Sequence, residues 1–107
     1  MRTPSHPATD SIQLAGIFHA LSDPARLSIV TGLSEVDEQC CSDLDVPLSK
    51  STLSHHLKVL REAGVTTTRV EGTRRLMSLR RDDLDLRFPG LLDAVLDAAT
   101  REPVGAH

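Results

Sequence analysis

One stretch, Ser49–Val65 (SKSTLSHHLKVLREAGV), constrains the fold more than any other, because the hydrophobic period changes at its far end. Leu53, Leu57 and Leu60 fall at i, i+4 and i+7, and Ala63 extends the stripe, which predicts an amphipathic helix. Ser49 or Ser51 supplies an N-cap oxygen for the unpaired N–H groups of the first turn. Gly64 sits where a left-handed residue closes a helix. From Val65 the period becomes two. Val65–Val70 (VTTTRV) is β-branched and predicts a strand. Glu71-Gly72-Thr73-Arg74 predicts a turn in which Gly72 is free to take positive φ, and Arg75–Arg80 (RLMSLR) predicts the return strand.

The polar face of this helix carries Lys50, Ser51, Thr52, Ser54, His55, Lys58 and Arg61, with Glu62 as its one acid. A solvated helix face ordinarily mixes signs. A basic face rich in short hydroxyls suits a helix N-terminus that enters the major groove of double-stranded DNA. Arg69, Arg74 and Arg75 cluster near the hairpin turn, within reach of backbone phosphates or the minor groove.

Net charge is the first test of that reading, and at −3 it argues against a nucleic-acid partner. The distribution reverses the argument. Lys50–Arg81 holds eight Lys/Arg against Glu62 and Glu71, a local charge of +6, while the remainder carries −9. A basic segment in an acidic molecule is a local footprint for an anion. Single strands are held by bases stacked on aromatic rings, and the two aromatics, Phe18 and Phe88, lie outside the segment.

The rest of the chain predicts helices around this core. Asp10–Leu21 is a first helix with Leu14, Ile17, Phe18 and Leu21 as its stripe, capped by Asp10 or Ser11. Asp23-Pro24 restarts the chain as N-cap and N1 of a second helix over about residues 25–34, with Leu27, Val30 and Leu33 inward and Ile29 alongside. Arg26 opposes the helix dipole there, so a nearby acid or a phosphate is expected to hold it. Cys40–Val46 predicts a short third helix anchored by Leu44 and ended by Pro47, which would complete a helix-turn-helix with the Ser49–Val65 helix. Residues 82–86 read as a polar connector, and Pro89 starts a last helix to about Ala99, with Leu92, Val95 and Leu96 on one face. The first and last helices carry more apolar surface than a small monomer buries, which marks an interface. One domain over residues 10–100 is expected, with a flexible tail at 1–9 and a frayed end at 101–107. No apolar run approaches the ~18 residues of a membrane span. The two adjacent cysteines form no disulfide framework, which suits a reduced, cytoplasmic setting.

This order of elements resembles the ArsR/SmtB family of winged helix-turn-helix transcriptional repressors over about residues 12–98. LSDPARLSIV (21–30) is similar to the family's second helix, STLSHHLKVLREAGV (51–65) to its recognition helix, and RVEGTR (69–74) to its wing. LRRDDLDLRFPGLLDAVL (79–96) resembles the C-terminal end of members from high-GC bacteria. The resemblance implies a mainly α (α+β) fold of about five helices with one β-hairpin wing. It implies a homodimer formed through the first and last helices, with Leu14, Ile17, Phe18, Leu92, Val95 and Leu96 at the interface. It also implies a sequence-specific repressor on an inverted-repeat operator. Carried over by position, Lys50, Ser51, Thr52, Ser54 and His55 read bases and phosphates, with Ser49 and Lys58 at the margins of that surface. His56 matches a family histidine that packs inward. The turn before the recognition helix is shorter here than in many members.

Members often sense metals or metalloids through a Cys-Val-Cys-Asp-Leu pattern. Here the stretch is Cys40-Cys41-Ser42-Asp43-Leu44, in which serine replaces the second thiol. Adjacent residues on a helix point about 100° apart, so the two thiols do not reproduce that chelate. No resident cofactor is expected. The alternatives are a thiophilic metal or metalloid ion, or a redox signal, at Cys40 and Cys41, and control by a regulatory partner protein. Enzyme chemistry is excluded by the lack of a Gly-rich phosphate loop, an HExxH or a GxSxG motif.

Overall fold

The computed structural model describes residues 5–44 and 46–102, and five α-helices and a three-stranded antiparallel sheet lie among them. The helices are α1 (Leu14–Leu21), α2 (Pro24–Leu33), α3 (Lys50–Ala63), α4 (Arg81–Arg87) and α5 (Leu91–Arg101). The strands are β1 (Gln39–Cys40), β2 (Thr66–Glu71) and β3 (Arg74–Leu79), in the order β1-β3-β2.

Local chemistry explains the sharpest boundaries. The Asp23 carboxylate accepts from the backbone N–H groups of Ala25 (2.9 Å) and Arg26 (3.1 Å), and Pro24 follows at the start of α2. Ser49 Oγ accepts from the Thr52 backbone N–H at the start of α3. Gly64 closes α3 at φ +88°, and its Cα lies so near Ile12 that an added Cβ would stand 2.5 Å from Cγ1. Gly72, at φ +62°, opens the two-residue loop between Glu71 and Arg74, which pair across the hairpin.

Ile12, Ile17, Ala20, Ile29, Val30, Leu33, Leu60, Val65, Met77, Leu84 and Leu92 form the core. It draws on every helix and on the sheet. A mainly α winged helix with five helices and a hairpin is therefore the observed fold, although the helices are not all the expected ones.

Four boundaries differ from expectation. The first helix starts at Leu14, not Asp10, because Thr9–Ser11 is a separate 3-10 turn that lets Ile12 drop into the core. The helix expected over Cys40–Val46 does not form among its described residues. Gln39 and Cys40 pair with Met77 and Leu76 as a third strand, and Cys41–Asp43 makes one 3-10 turn. Sheet pairing there outweighs a helical segment with a single apolar anchor. The connector at residues 82–86 is instead part of α4, with Asp82 and Asp83 in its first turn and Leu84 buried as its anchor. The last helix starts at Leu91, after Gly90 turns the chain at φ +82°. In α2 the inward face is Ile29, Val30 and Leu33, and Leu27 is only half-buried.

Of the expected N-terminal tail, residues 1–4 lie outside the described residues, while residues 5–9 lie against the body. His6 Nε2 accepts from the Thr68 backbone N–H (2.9 Å), Arg80 donates to the Pro7 carbonyl (2.8 Å), and Thr9 Oγ1 donates to Asp83 (2.9 Å). At the other end α5 continues to Arg101, and residues 103–107 lie outside the described residues.

Candidate nucleic-acid interface

The N-terminal half of α3 stands clear of the body. Ser49, Lys50, Ser51, Thr52, Ser54, His55 and Lys58 are all exposed, while Leu53, His56 and Leu57 turn partly inward and Leu60 is fully buried. The Ser49 hydroxyl donates to Thr52 Oγ1 (2.9 Å) and lies 3.3 Å from Ser51 Oγ. This first turn is thus a cluster of three hydroxyls beside one lysine, with the unpaired N–H groups of the helix start behind it.

The basic segment divides into two kinds of cation. Arg80 is buried and donates to Asp83 and Pro7. Arg81 pairs with Asp93 (3.0 Å). Arg61 is half-buried on α3. Arg69 reaches Glu38 with Nε and Nη2, each at 2.8 Å, and Glu71 with Nη1 at 2.7 Å. These contacts hold its guanidinium charged and lower the Glu38 carboxyl below its usual range. Lys50, Lys58, Arg74 and Arg75 are exposed and make no salt bridge among the described residues. The surface open to an anion is therefore the start of α3 and the tip of the β2–β3 hairpin. Arg69 belongs to a clamp across the sheet.

Arg26 makes no salt bridge among the described residues and is not on a free surface. Its side chain is buried, with Nε donating to the Ala20 carbonyl (2.7 Å), Nη2 to the His19 carbonyl (3.3 Å) and Nη1 3.1 Å from His56 Nδ1. It closes the carbonyl end of α1, where the dipole favours a cation. A cation misplaced for its own helix was the sequence signal; its partner helix was not readable.

Cys40 is buried in β1, with Sγ 3.2 Å from Ser42 Oγ. The Ser42 hydroxyl and backbone N–H, helped by Arg74, lower the Cys40 thiol below its ordinary range, while burial raises that of Cys41. Among the described residues no three His, Cys, Asp or Glu side chains gather as a metal site.

Of the residues expected at a dimer interface, Ile17 and Leu92 are core, at 3% and 4% exposure. Their positions on the apolar stripes are spent inside the chain. Val95 and Leu96 are half-buried, and Leu14 and Phe18 are exposed at 42% and 51%.

A three-stranded sheet with a two-residue hairpin, set beside a capped helix whose hydroxyl and basic half is open, defines a winged helix-turn-helix DNA-binding protein. The family model for bacterial regulatory proteins of the arsR family matches residues 23–67. The HTH-type transcriptional regulator YceK of Bacillus subtilis is 39% identical over 90 residues, 76% of this chain and 84% of that protein. The arsenical resistance operon repressor of Staphylococcus xylosus is 40% identical over 75 residues, 68% of this chain and 71% of that protein. The crystal structure of M. tuberculosis Rv0081 superposes with a TM-score of 0.63 at 32% identity, covering 81% of this chain and 85% of that one. The chain belongs to the arsR family and is a DNA-binding transcriptional repressor, not an enzyme. Among the described residues no helix is long and apolar enough to cross a membrane.

Proposed function

We propose that the protein represses transcription as a homodimer on an inverted-repeat operator, with the start of α3 in the major groove and the hairpin tip on the flanking backbone. Ser49, Lys50, Ser51, Thr52, Ser54, His55 and Lys58 form the reading surface, and Arg74 and Arg75 hold phosphates. The observation that carries this is that the exposed cations of the 50–81 segment that make no salt bridge among the described residues, Lys50, Lys58, Arg74 and Arg75, lie on those two elements. The exposed Leu14 and Phe18 on α1 supply apolar surface for a second copy. A twofold pair would set its recognition helices about 34 Å apart, one turn of DNA. A mobility-shift assay on the gene's own upstream region tests the reading. A specific band that weakens with Arg74→Ala and His55→Ala is expected, and a band indifferent to both sinks it.

A second reading rests on Cys40. The Ser42 hydroxyl, 3.2 Å from Sγ, and the nearby Arg74 of the hairpin favour the thiolate form of this buried thiol. A soft ion takes three or four thiolate or imidazole ligands, and no such set gathers among the described residues of one chain, so this reading is carried by thiol chemistry. Operator release by a thiol-directed oxidant, abolished in Cys40→Ser, is the expected result. Equal release in both proteins removes Cys40 from the control of DNA binding.

A further inference from the structure

His56 is the one residue of α3 that joins the recognition helix by a side-chain hydrogen bond to the α1–α2 corner, among the described residues. Its side chain is 12% exposed. Arginine only donates, so Nδ1, 3.1 Å from Arg26 Nη1, must be the acceptor. The ring proton therefore lies on Nε2, which faces Asp23 Oδ2 at 3.8 Å. Asp23 in turn caps α2 by accepting from the N–H groups of Ala25 and Arg26. Arg26 holds the last carbonyls of α1. One side chain thus ties α3 to the end of α1 and the start of α2.

We infer that neutral His56 is a positioning residue for DNA binding, fixing the rotation of α3 about its axis so that its neighbour His55 and the hydroxyl cluster face the groove. His55 is exposed, and its ring centroid lies 6.1 Å from that of His56. Consecutive helix residues are set about 100° apart, so anchoring one fixes the direction of the other. The inference rests on α3 being the DNA-reading helix.

Protonation of His56 releases this anchor. An imidazolium has no acceptor at Nδ1, and it places a second positive charge 3.1 Å from Arg26. The groups facing the ring are Arg26 and Asp23 of α2, the His19 end of α1 through Arg26, and His55 of its own helix. Asp23 attracts the imidazolium, but from 3.8 Å, and its oxygen already accepts two backbone N–H groups. A ring protonated at Nδ1 cannot accept from Arg26 Nη1, so the one side-chain hydrogen bond that orients this face of α3 is lost.

The test is operator affinity, by fluorescence anisotropy with labelled DNA, between pH 7.5 and 5.5 for the full chain, His56→Asn and His56→Leu. Asparagine places an oxygen near the Nδ1 position, accepts from Arg26 and does not titrate in this range; leucine fills the space without accepting. At pH 7.5 His56→Asn should stay within about threefold of the natural protein, and His56→Leu should lose about tenfold or more, as loss of a half-buried acceptor implies. On acidification the natural protein should lose affinity that His56→Asn keeps. His55 is present in both, so the difference between their profiles belongs to His56. A leucine variant with unchanged affinity, or parallel profiles for the natural protein and His56→Asn, overturns the inference. If the leucine variant does not fold, long-range 1H–15N spectra of the natural protein decide, since a ring protonated at Nδ1 at pH 7.5 overturns it equally. Lys50→Ala and Arg74→Ala in the same assay separate the two claims: affinity unmoved by both means that α3 and the hairpin are not the DNA surface, whatever His56 does.

Discussion

Arg69 and Glu38 meet in a two-pronged contact, Nε on Oε2 and Nη2 on Oε1, each at 2.8 Å. Arg69 lies on β2 and Glu38 just ahead of β1, so the pair spans β3 and draws the outer strands of the sheet together. Such a paired guanidinium is not available to a phosphate without giving up its carboxylate. Arg69→Ala is therefore expected to leave operator affinity nearly unchanged, while Arg74→Ala lowers it. Salt titration separates them: each lost phosphate contact flattens the slope of log affinity against log salt by about one unit. Glu38→Gln is expected to raise affinity, by releasing Arg69 and removing a negative charge.

Gly64 combines two constraints, a φ of +88° and a Cβ position 2.5 Å from Ile12 Cγ1. Gly64→Ala should cost about 1–2 kcal/mol from the left-handed backbone and about 1–3 kcal/mol more from overpacking. Denaturant unfolding measures the sum. Shortening Ile12 to alanine in the same chain relieves the overpacking alone, so the double variant should cost less than the two singles added. Strict additivity would show that the contact with Ile12 is not the problem.

Ser49 caps α3 and also stands on the proposed DNA surface, and two substitutions separate those roles. Ser49→Ala should lower stability by about 1 kcal/mol through the lost cap. Ser49→Asp keeps a capping oxygen and suits the helix dipole, so stability should hold, but its charge opposes phosphate. Operator affinity should therefore fall in Ser49→Asp while the melting temperature does not. The reverse pattern would make Ser49 a cap and nothing else.

Burial, then Arg61 and Arg80, lower the His6 imidazole below its ordinary value of 6.5, and neutral Nε2 accepts the Thr68 N–H. A histidine depressed in the folded state contributes stability that is present above 6.5 and is lost as pH falls through the folded value. Protection of the Thr68 amide against exchange, corrected for the intrinsic rate, should accordingly decline below about pH 6.5. His6→Gln should remove that pH dependence. Protection that holds unchanged to pH 5 would mean the His6 contact does not secure the strand edge.

Phe18 and Leu14 are exposed on α1, and a second copy is the proposed cover. Sedimentation at micromolar concentration should give a dimer, and Phe18→Glu should give a folded monomer with reduced operator affinity. A natural protein that sediments as a monomer would remove the twofold operator geometry.

The most legible elements in the sequence were those whose start, face and stop were all written locally. The Asp23-Pro24 start of α2, the Ser49 cap, the Leu60 anchor and the Gly64 stop are of this kind, as is the Gly72 turn. The segment Cys40–Val46 was not, because it has one apolar anchor and no cap, and a strand partner 36 residues later, Leu76, takes its first residue. The helix α4 has no distinctive local signal, because acids that suggest a connector are also what a first turn prefers. At the site, exposure of the α3 hydroxyls and of Arg74 followed from helical and hairpin periodicity. The clamp on Arg69 and the burial of Arg80 did not, since their partners Glu38 and Pro7 are remote in sequence.

A basic, hydroxyl-rich helix that runs through Gly64 into a hairpin is legible from the residues alone, because periodicity, caps and glycine conformations are local properties of the chain. Which basic residues remain open to an anion, and the tie that Arg26 and His56 make between the reading helix and the α1–α2 corner, follow from tertiary contacts. Ion pairs and buried hydrogen bonds are made between segments that folding brings together, and their partners leave no local pattern to read.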